Sequence, residues 1–461
     1  MKSGNPPAAE EECAIVTIDM PSTQFDICDF TFTVVIGIFH EFSSARSFTV
    51  EFTCPDYFFN YLDNGALQNV SYSHSGDFTT VTGTVVSDPN GAVFPSVHTI
   101  TLNRNASWAG LLKNFTVKVF DPQCTETLQA EENFNLTTTT FVDLRPFPIT
   151  SLAQLVADGI IVFPSGPGAA NVLPDLLIAD ELLIDIPAQI EGDGVNLRDI
   201  TLMPGARIRI ATNQATGSTT PNLFVKEANI HTCPGAELAE GIVVDPQNTS
   251  GAPLTKLQMQ NSIVADCRFG INAMPNSSLS LSDNNFTNNY IGLNFDMGSN
   301  LGRVRIDALD GNIFSTAGAL KEPYPGMPET VESRGFCGIR LNGYRDFNVF
   351  GGTTFSSLAN GIVAYNSTGS IGNVTFTDMN SADQTPAYPF EGHGIRLAGK
   401  GPSYWFNINE FWTNMTFNNC KTGILAQSYA LNVENVTMTN VDVGIDVAYS
   451  PKRDIIIDGN T

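Results

Sequence analysis

The chain has 461 residues, of which 47 are acidic and 23 basic, so its formal net charge is −24. This acidity and the lack of a basic run argue against a nucleic-acid partner, and no stretch approaches the roughly 20 apolar residues of a membrane-spanning helix. Only 15% of the residues are charged, whereas glycine and phenylalanine are frequent. Such a composition suits strands and turns better than long helices, and it predicts an all-β protein with room for two or three domains.

The first part of the chain predicts a separate all-β domain. Residues 1–12 have no hydrophobic signal core, and we expect a disordered tail there. Residues 13–137 contain short alternating runs of Val, Thr and Phe separated by turn residues, which predicts an antiparallel β-sandwich. This stretch resembles the immunoglobulin-like and cohesin-like modules of bacterial surface proteins, and that resemblance implies spacing, joining or binding. Residues 138–175 are expected to form a linker with a short helix capped by Ser151.

Cysteines are unevenly distributed along the chain. Four precede the repeats described next: Cys13, Cys28, Cys54 and Cys124. Four cysteines allow three connectivities, and the one we favour pairs Cys54 with Cys124 and Cys13 with Cys28. Cys267 and Cys420 lie within the repeats and are expected to be small buried residues rather than disulfides or metal ligands.

A repeated phrase, glycine followed by isoleucine or leucine, dominates the second part of the chain. Its glycines are Gly241, Gly270, Gly292, Gly338, Gly361, Gly394, Gly423 and Gly444. A unit of about 22 residues explains the intervals if the 46 residues from Gly292 to Gly338 are two units and the other long intervals carry insertions. A fixed period of this size predicts a solenoid, because one unit cannot bury its own apolar face.

A second phrase, Asn-x-Phe or Thr-Phe, precedes many of these glycines, as at Phe286, Phe355 and Phe417. The combination resembles the right-handed parallel β-helix of pectin-lyase-like proteins over residues 176–461. The resemblance implies that Ile and Phe point inward, that Asn side chains bond from rung to rung, and that the glycines adopt backbone angles other residues avoid. The last repeat lacks a capping element, so we expect the β-helix to continue beyond Thr461. The fold hosts lyases, hydrolases, tailspikes, adhesins and spacers, so it names no reaction.

Four residues are candidates for catalysis. His393 lies in a Gly-His-Gly sequence that resembles a polygalacturonase motif, with Glu391 nearby, but the other motifs of that family do not occur. Arg340 and Arg396 hold the same position in two repeats, about two rungs or roughly 10 Å apart, which would suit elimination of the pectate-lyase type. The alternative is that His393 occupies a variable turn position and that the arginines are ordinary surface residues.

Two insertions, at 315–336 and 380–391, precede the same turn of the repeat and should emerge on one side, followed by an irregular stretch at 400–412. They and that stretch carry six aromatic residues: Tyr324, Tyr388, Phe390, Tyr404, Trp405 and Trp412. Aromatic side chains beside carboxylates on an insertion face favour carbohydrate binding. The alternative is that these side chains seal the loops against the solenoid.

The function that the sequence favours is structural. We expect a secreted or cell-surface protein without catalysis, an adhesive or scaffold segment of a larger assembly, with further copies or other surface proteins as partners. The rival hypotheses are a polysaccharide lyase or glycoside hydrolase, and a non-catalytic glycan-binding module. No metal site is predicted, although Asp307 to Asn312 faintly resembles a calcium turn.

Overall fold

Strands form nearly all of the secondary structure, and the predicted fold class is confirmed: antiparallel sheets precede a parallel β-helix. The chain divides into two units, Met1–Asp143 and Leu144–Thr461. The structure is a computed structural model that describes residues 13–458 except 22–23, 26–27, 29–30, 41–43, 56–58, 62–63, 76–77, 89–95, 105–112, 125–126, 139–140, 148, 164–169, 212–220, 246–253, 298–303, 330–332, 380–391, 400–403, 410–414 and 449–454.

The first unit contains two largely antiparallel sheets. One has four strands, in the order Ile15–Asp19, Thr31–Phe39, Ser96–Arg104 and Phe59–Tyr61. The other has six, in the order Gln24–Phe25, Leu128–Thr138, Lys113–Phe120, Ser47–Pro55, Phe78–Val86 and Gln68–Ser75. A two-residue strand, Val142–Asp143, ends the unit. Val34 and Ile36 of the first sheet share one buried core with Val50 and Phe52 of the second, so the unit is a sandwich.

The disulfides differ from the predicted pairing. Cys13 is bonded to Cys124 across 111 residues, so both predicted pairs are wrong. The two Cα atoms lie 5.7 Å apart because folding brings the two ends of the unit together, and the spacing of cysteines along the chain does not reveal such a contact. Cys28 is also disulfide-bonded, as is Cys233, which the sequence did not single out, whereas the side chain of Cys54 lies outside the described residues.

The prediction for the cysteines of the repeat is confirmed. Cys267 and Cys420, together with Cys337, are free and buried. Burial raises the pKa of all three thiols, that of Cys337 to about 12 and that of Cys420 to about 11. They are therefore uncharged space-filling side chains.

The second unit is a coil with three strands per turn. Strands of successive turns pair in parallel and form the three walls of the coil. Sheet I contains Leu176–Ile178, Arg198–Leu202, Ala228–Thr232, Ile263–Ala265, Asn285–Thr287, Ile313–Ser315, Thr354–Ser356, Thr375–Thr377, Met415–Asn418 and Val436–Thr439. Sheet II contains Ile149–Ser151, Glu181–Ile184, Arg207–Ile210, Ala239–Val244, Cys267–Ala273, Ile291–Asp296, Cys337–Asn342, Asn360–Tyr365, His393–Ala398, Thr422–Gln427 and Val443–Ala448.

The third wall is divided into two shorter sheets. Sheet IIIa contains Ala188–Glu191, Asn222–Lys226, Thr255–Gln260, Ser277–Ser282 and Arg305–Asp310. Sheet IIIb contains Phe347–Val349, Gly369–Ile371, Trp405–Ile408, Ala430–Glu434 and Ile455–Asp458. A short helix, Leu152–Ala157, precedes most of the coil. At the start of this helix, the hydroxyl of Ser151 accepts a hydrogen bond from the backbone N–H of Gln154. The strand Ile149–Ser151 already pairs with sheet II, so paired strands begin within the stretch that we predicted as linker.

A stack of five phenylalanine rings runs through the interior along sheet I. The rings belong to Phe286, Phe314, Phe355, Phe376 and Phe417, and all five are buried. Neighbouring centroids are 4.8–5.0 Å apart and the rings are within 9–13° of parallel. Each ring therefore repeats the position of the one below it at the spacing of the strands.

Five of the repeat glycines owe their place to this stack rather than to backbone conformation: Gly270, Gly292, Gly338, Gly361 and Gly394. Of the eight, only Gly241 has a positive φ, so the expectation of unusual backbone angles was wrong for the other seven. A Cβ atom on Gly338 would overlap the ring of Phe355, and a Cβ on Gly394 would lie 2.5 Å from the ring of Phe417. Glycine is required because its missing side chain leaves room for a phenylalanine.

Left-handed backbone occurs instead at the corners, where Asn, Asp and Ser residues follow strands of sheet I. Asn288, Ser357, Asp378 and Asn419 have φ between 52° and 58°, a region that Asn and Asp tolerate better than most residues. Buried Asn side chains also form the predicted rung-to-rung bonds, as where Asn284 Nδ2 donates to Asn312 Oδ1 at 3.0 Å.

The interval of 46 residues is one turn of the coil, not two. Strand Ile291–Asp296 pairs directly with Cys337–Asn342. The extra length lies between the strands that end at Asp296 and begin at Arg305, and in the insertion 315–336. Glycine spacing alone did not distinguish a second rung from insertions within one rung.

We predict that Gly338→Ala and Phe355→Ala are coupled. Alone, Gly338→Ala should lower the free energy of unfolding of the β-helix by about 1–3 kcal/mol through overpacking, and Phe355→Ala by about 3–5 kcal/mol. The double variant should be more stable than the sum of these losses implies, because the added methyl group enters the space of the deleted ring. Denaturant unfolding followed by circular dichroism measures the four free energies.

The control is Gly338→Ala combined with Phe417→Ala, which deletes a distant ring of the same stack. We expect this pair to be additive within about 0.5 kcal/mol. Equal coupling for the two pairs would contradict the steric explanation of the glycine.

Candidate functional site

The outer face of sheet II gathers three of the four catalytic candidates. Arg340 is in register with Val363, and Val363 with Arg396, so the two arginines are two rungs apart as predicted. Asn360 is in register with His393. We call Arg340, Asn360, His393 and Arg396 the Arg–His patch; Glu391 lies outside the described residues.

The Arg–His patch is not an open surface. Asn360 is 0% exposed, His393 5% and Arg396 8%. Alternation turns Arg340 and Arg396 away from the interior, since the neighbouring Ile339 and Ile395 fill the inside. Asn360 and His393 continue the column of Cys337, which packs in one cluster with Val363 of the outward row. Arg396 is therefore buried although it faces outward, and Arg340 is half-buried, contrary to the expectation of surface arginines.

The two guanidinium groups have different surroundings. Arg340 Nε donates to Asn294 Oδ1 at 2.8 Å, and Asn294 Nδ2 donates to Asn272 Oδ1 at 2.8 Å. The Cζ atom of Arg340 also lies 5.7 Å from the ring centroid of Phe269. Arg340 thus closes a polar chain that crosses three rungs, which is a structural role.

Arg396 lies over an aromatic ring. Its Cζ atom is 5.8 Å from the ring centroid of Tyr365, at the distance of a cation–π contact. Burial, followed by the charges of Arg396 and Lys421, lowers the pKa of His393 to about 4. The imidazole is therefore neutral at pH 7 in a positively charged neighbourhood.

Two polar atoms of the patch lack partners. Among the described residues, neither His393 Nδ1 nor Asn360 Oδ1 has a hydrogen bond, although Asn360 Nδ2 donates to Phe336 O at 3.2 Å. Buried polar atoms are usually satisfied. Asn360 was not among the candidates from the sequence, because its neighbourhood depends on rung-to-rung register.

The insertion 315–336 is pinned to earlier rungs by charge pairs. Lys321 Nζ lies 2.9 Å from Asp266 Oδ2. Arg268 forms two 2.8 Å bonds to Glu329 and a 3.0 Å bond to Glu240. The ring of Tyr324 packs against Gly205, and its hydroxyl donates to Glu240. Tyr324, a candidate for glycan binding, is therefore engaged in anchoring the loop.

The other aromatic candidates do not form one face with Tyr324 in the described part of the chain. Trp405 belongs to a strand of sheet IIIb rather than to a loop, and Tyr404 packs on Tyr429 with ring centroids 5.8 Å apart. Tyr388, Phe390 and Trp412 lie outside the described residues.

The stretch considered for calcium is occupied by protein contacts. Asp307 Oδ1 accepts from Arg305 Nε at 2.6 Å, and Asn312 is buried in the Asn ladder. Within the described ranges, no three His, Cys, Asp or Glu residues cluster in a way that would hold a metal ion. In the same ranges, no helix is long and apolar enough to cross a membrane.

Comparisons with known proteins give no family. No family model matches the chain, and no curated protein does. Six chains of solved structures align with it; one is described as "AvmM Catalyzes Macrocyclization in Alchivemycin A Biosynthesis". That chain is 6% identical, and the alignment covers 27% of this chain and 88% of that one with a TM-score of 0.19. A likeness this low carries no argument about fold or function.

We predict that His393 titrates far below an ordinary histidine. In a selectively labelled sample, its imidazole NMR signal should shift with a midpoint near pH 4, assigned by its loss in His393→Gln. Because the unfolded state binds this proton near pH 6.5 and the folded state near pH 4, stability should fall as pH drops through that window. The loss should amount to roughly 2–3 kcal/mol.

His393→Gln serves as the matched control for stability, because it has no ionisable group. Its free energy of unfolding should depend less on pH between 6.5 and 4 than that of the native chain. A midpoint near 6.5 in the native chain would contradict the burial that we describe.

Proposed function

We propose that the chain is an extracellular structural and adhesive protein, a rigid scaffold or filament segment of a larger cell-surface assembly. The first unit then serves as a joining module of the immunoglobulin-like or cohesin-like kind. The second is a spacer of the right-handed, pectin-lyase-like β-helix type.

The observation that carries this proposal is that the side chains of the Arg–His patch are buried or hydrogen-bonded within the fold. Arg340 is hydrogen-bonded within the fold, and His393 and Arg396 are almost wholly buried. A catalytic site for a polymer needs reactive groups that the substrate reaches. The three described candidates for catalysis instead support packing, and the continuous phenylalanine stack supports the role of a stiff rod.

The disulfide supports the proposed location. A bond between Cys13 and Cys124 is the kind of cross-link that persists in oxidising compartments such as the cell exterior. The formal charge of −24 favours solubility at high local concentration.

Self-association is the test of the scaffold function. We expect light scattering of the purified chain to give a multiple of the chain mass, and electron microscopy to show a defined ring, fibre or oligomer. Half-exposed Ile457 is in register with buried Val433 and so extends an apolar column of the coil, to which a second copy can add its own side chains. Ile457→Lys should therefore reduce the measured mass.

Ile456→Lys is the matched control, because Ile456 lies in the same strand with the same exposure but in register with half-buried Asn432. It should leave the mass unchanged. A monomer under all conditions would contradict the scaffold function.

A second candidate function is favoured by the unpartnered atoms His393 Nδ1 and Asn360 Oδ1. Buried polar atoms beside Arg396 are suited to an anionic group, so the patch is a candidate subsite of a polysaccharide lyase or glycoside hydrolase, or of a non-catalytic binder of acidic glycans. If the chain is such an enzyme, we expect its action on polygalacturonate, alginate or hyaluronan to produce the absorbance of unsaturated uronates or an increase in reducing ends. Loss of that release in both His393→Ala and Arg396→Ala, with normal melting curves, would favour this function over the scaffold.

A further inference from the structure

A groove on the outer face of sheet IIIa belongs to none of the features described so far. Its volume is about 430 Å³. It is lined by Asn171, Pro187, Ala188, Gln189, Asn222, Phe224 and Gln258. The groove is therefore bordered by four carboxamides, and the lining contains no charged residue.

The centre of the groove is an ordered row across three rungs. Gln189 is in register with Phe224, and Phe224 with Gln258. Their neighbours in the strands, such as Val225 and Met259, are buried, so the row faces outward. A half-exposed ring thus lies between two glutamines, each about 4.8 Å away along the wall.

One carboxamide of the groove is fixed by a hydrogen bond, and the other three are available to a ligand. Asn171 Nδ2 donates to Pro187 O at 2.9 Å, which fixes one edge. Within the described part of the chain, the side-chain amides of Gln189, Asn222 and Gln258 make no hydrogen bond. Each amide offers both a donor and an acceptor.

The charges that flank the groove are already paired. Lys226 Nζ lies 3.2 Å from Glu191, and Lys256 Nζ lies 3.9 Å from Asp307. The groove is thus a neutral strip within a strongly acidic protein. An ionic ligand gains little there, whereas an uncharged ligand rich in hydroxyl groups matches both the amides and the ring.

We propose that this groove binds a neutral oligosaccharide. The apolar face of one pyranose ring packs on Phe224 and Pro187, and its hydroxyl groups exchange hydrogen bonds with Gln189, Asn222 and Gln258. The rung spacing is close to the advance of one sugar unit in an extended chain, so successive rungs present successive contacts. The site gives a ligand to the adhesive part of the proposed function, on which it rests for its context.

The test uses the full chain and calorimetric titration with neutral hexasaccharides of glucose, xylose, mannose and N-acetylglucosamine. We expect at least one to bind, and Phe224→Ala to weaken it roughly tenfold or more because the apolar contact is lost. Gln189→Ala and Gln258→Ala should each weaken it several-fold. Phe224→Trp should preserve binding, since a larger ring still offers a stacking face.

Gln260→Ala is the matched control, because Gln260 is the same residue type on the same face of the same strand, outside the groove. It should bind as the native chain does. Absence of binding to the whole panel would overturn the proposal, and so would a Phe224→Ala variant that binds normally or a Gln260→Ala variant that is equally impaired.

Light scattering of the same variants separates this site from the scaffold function. Loss of sugar binding with unchanged oligomeric mass supports the groove as a glycan site. Loss of self-association in Phe224→Ala, with no sugar bound by the native chain, would instead make the strip an interface between copies and overturn the proposal.

Discussion

The steric fit between the repeat glycines and the phenylalanine stack determines the geometry of the β-helix. Each ring lies where a Cβ atom of a glycine such as Gly338 or Gly394 would be. Because the ring and the glycine belong to different walls, their contact fixes how sheet I meets sheet II at the five turns from Gly270 to Gly394. The two phrases of the sequence are therefore one interaction, repeated along the coil.

Because this constraint fixes the interior, differences between rungs are found on the outer face of the coil and in its insertions. The inner positions are filled by apolar side chains from rung to rung, so a turn tolerates insertions only where the chain leaves the wall. Both long insertions, 315–336 and 380–391, follow a strand of sheet I and precede one of sheet II. The first is then tied back by Lys321 and Arg268, which secures a loop that the stack itself does not hold.

Much of the fold could be predicted from the sequence because periodicity records local chemistry. The alternation of residues 13–137 predicted strands, and the glycine phrases predicted rungs. The misplaced features depend on non-local geometry. The Cys13–Cys124 bond joins the two ends of a domain, and the 46-residue interval hides one turn with insertions. The candidate site was located partly, since the register of Arg340 and Arg396 follows the repeat, but the burial of His393 follows from packing that the repeat does not describe.

The same reasoning explains why the groove on sheet IIIa escaped prediction. Gln189, Phe224 and Gln258 lie 35 and 34 residues apart in a part of the chain with a single glycine phrase, at Gly241, which cannot reveal a period by itself. Only the pairing of the strands in sheet IIIa brings these three residues into one row. In a solenoid, stability resides in the inward columns, which are alike from rung to rung. Recognition is left to outward columns, whose residues have no pattern until the register is known.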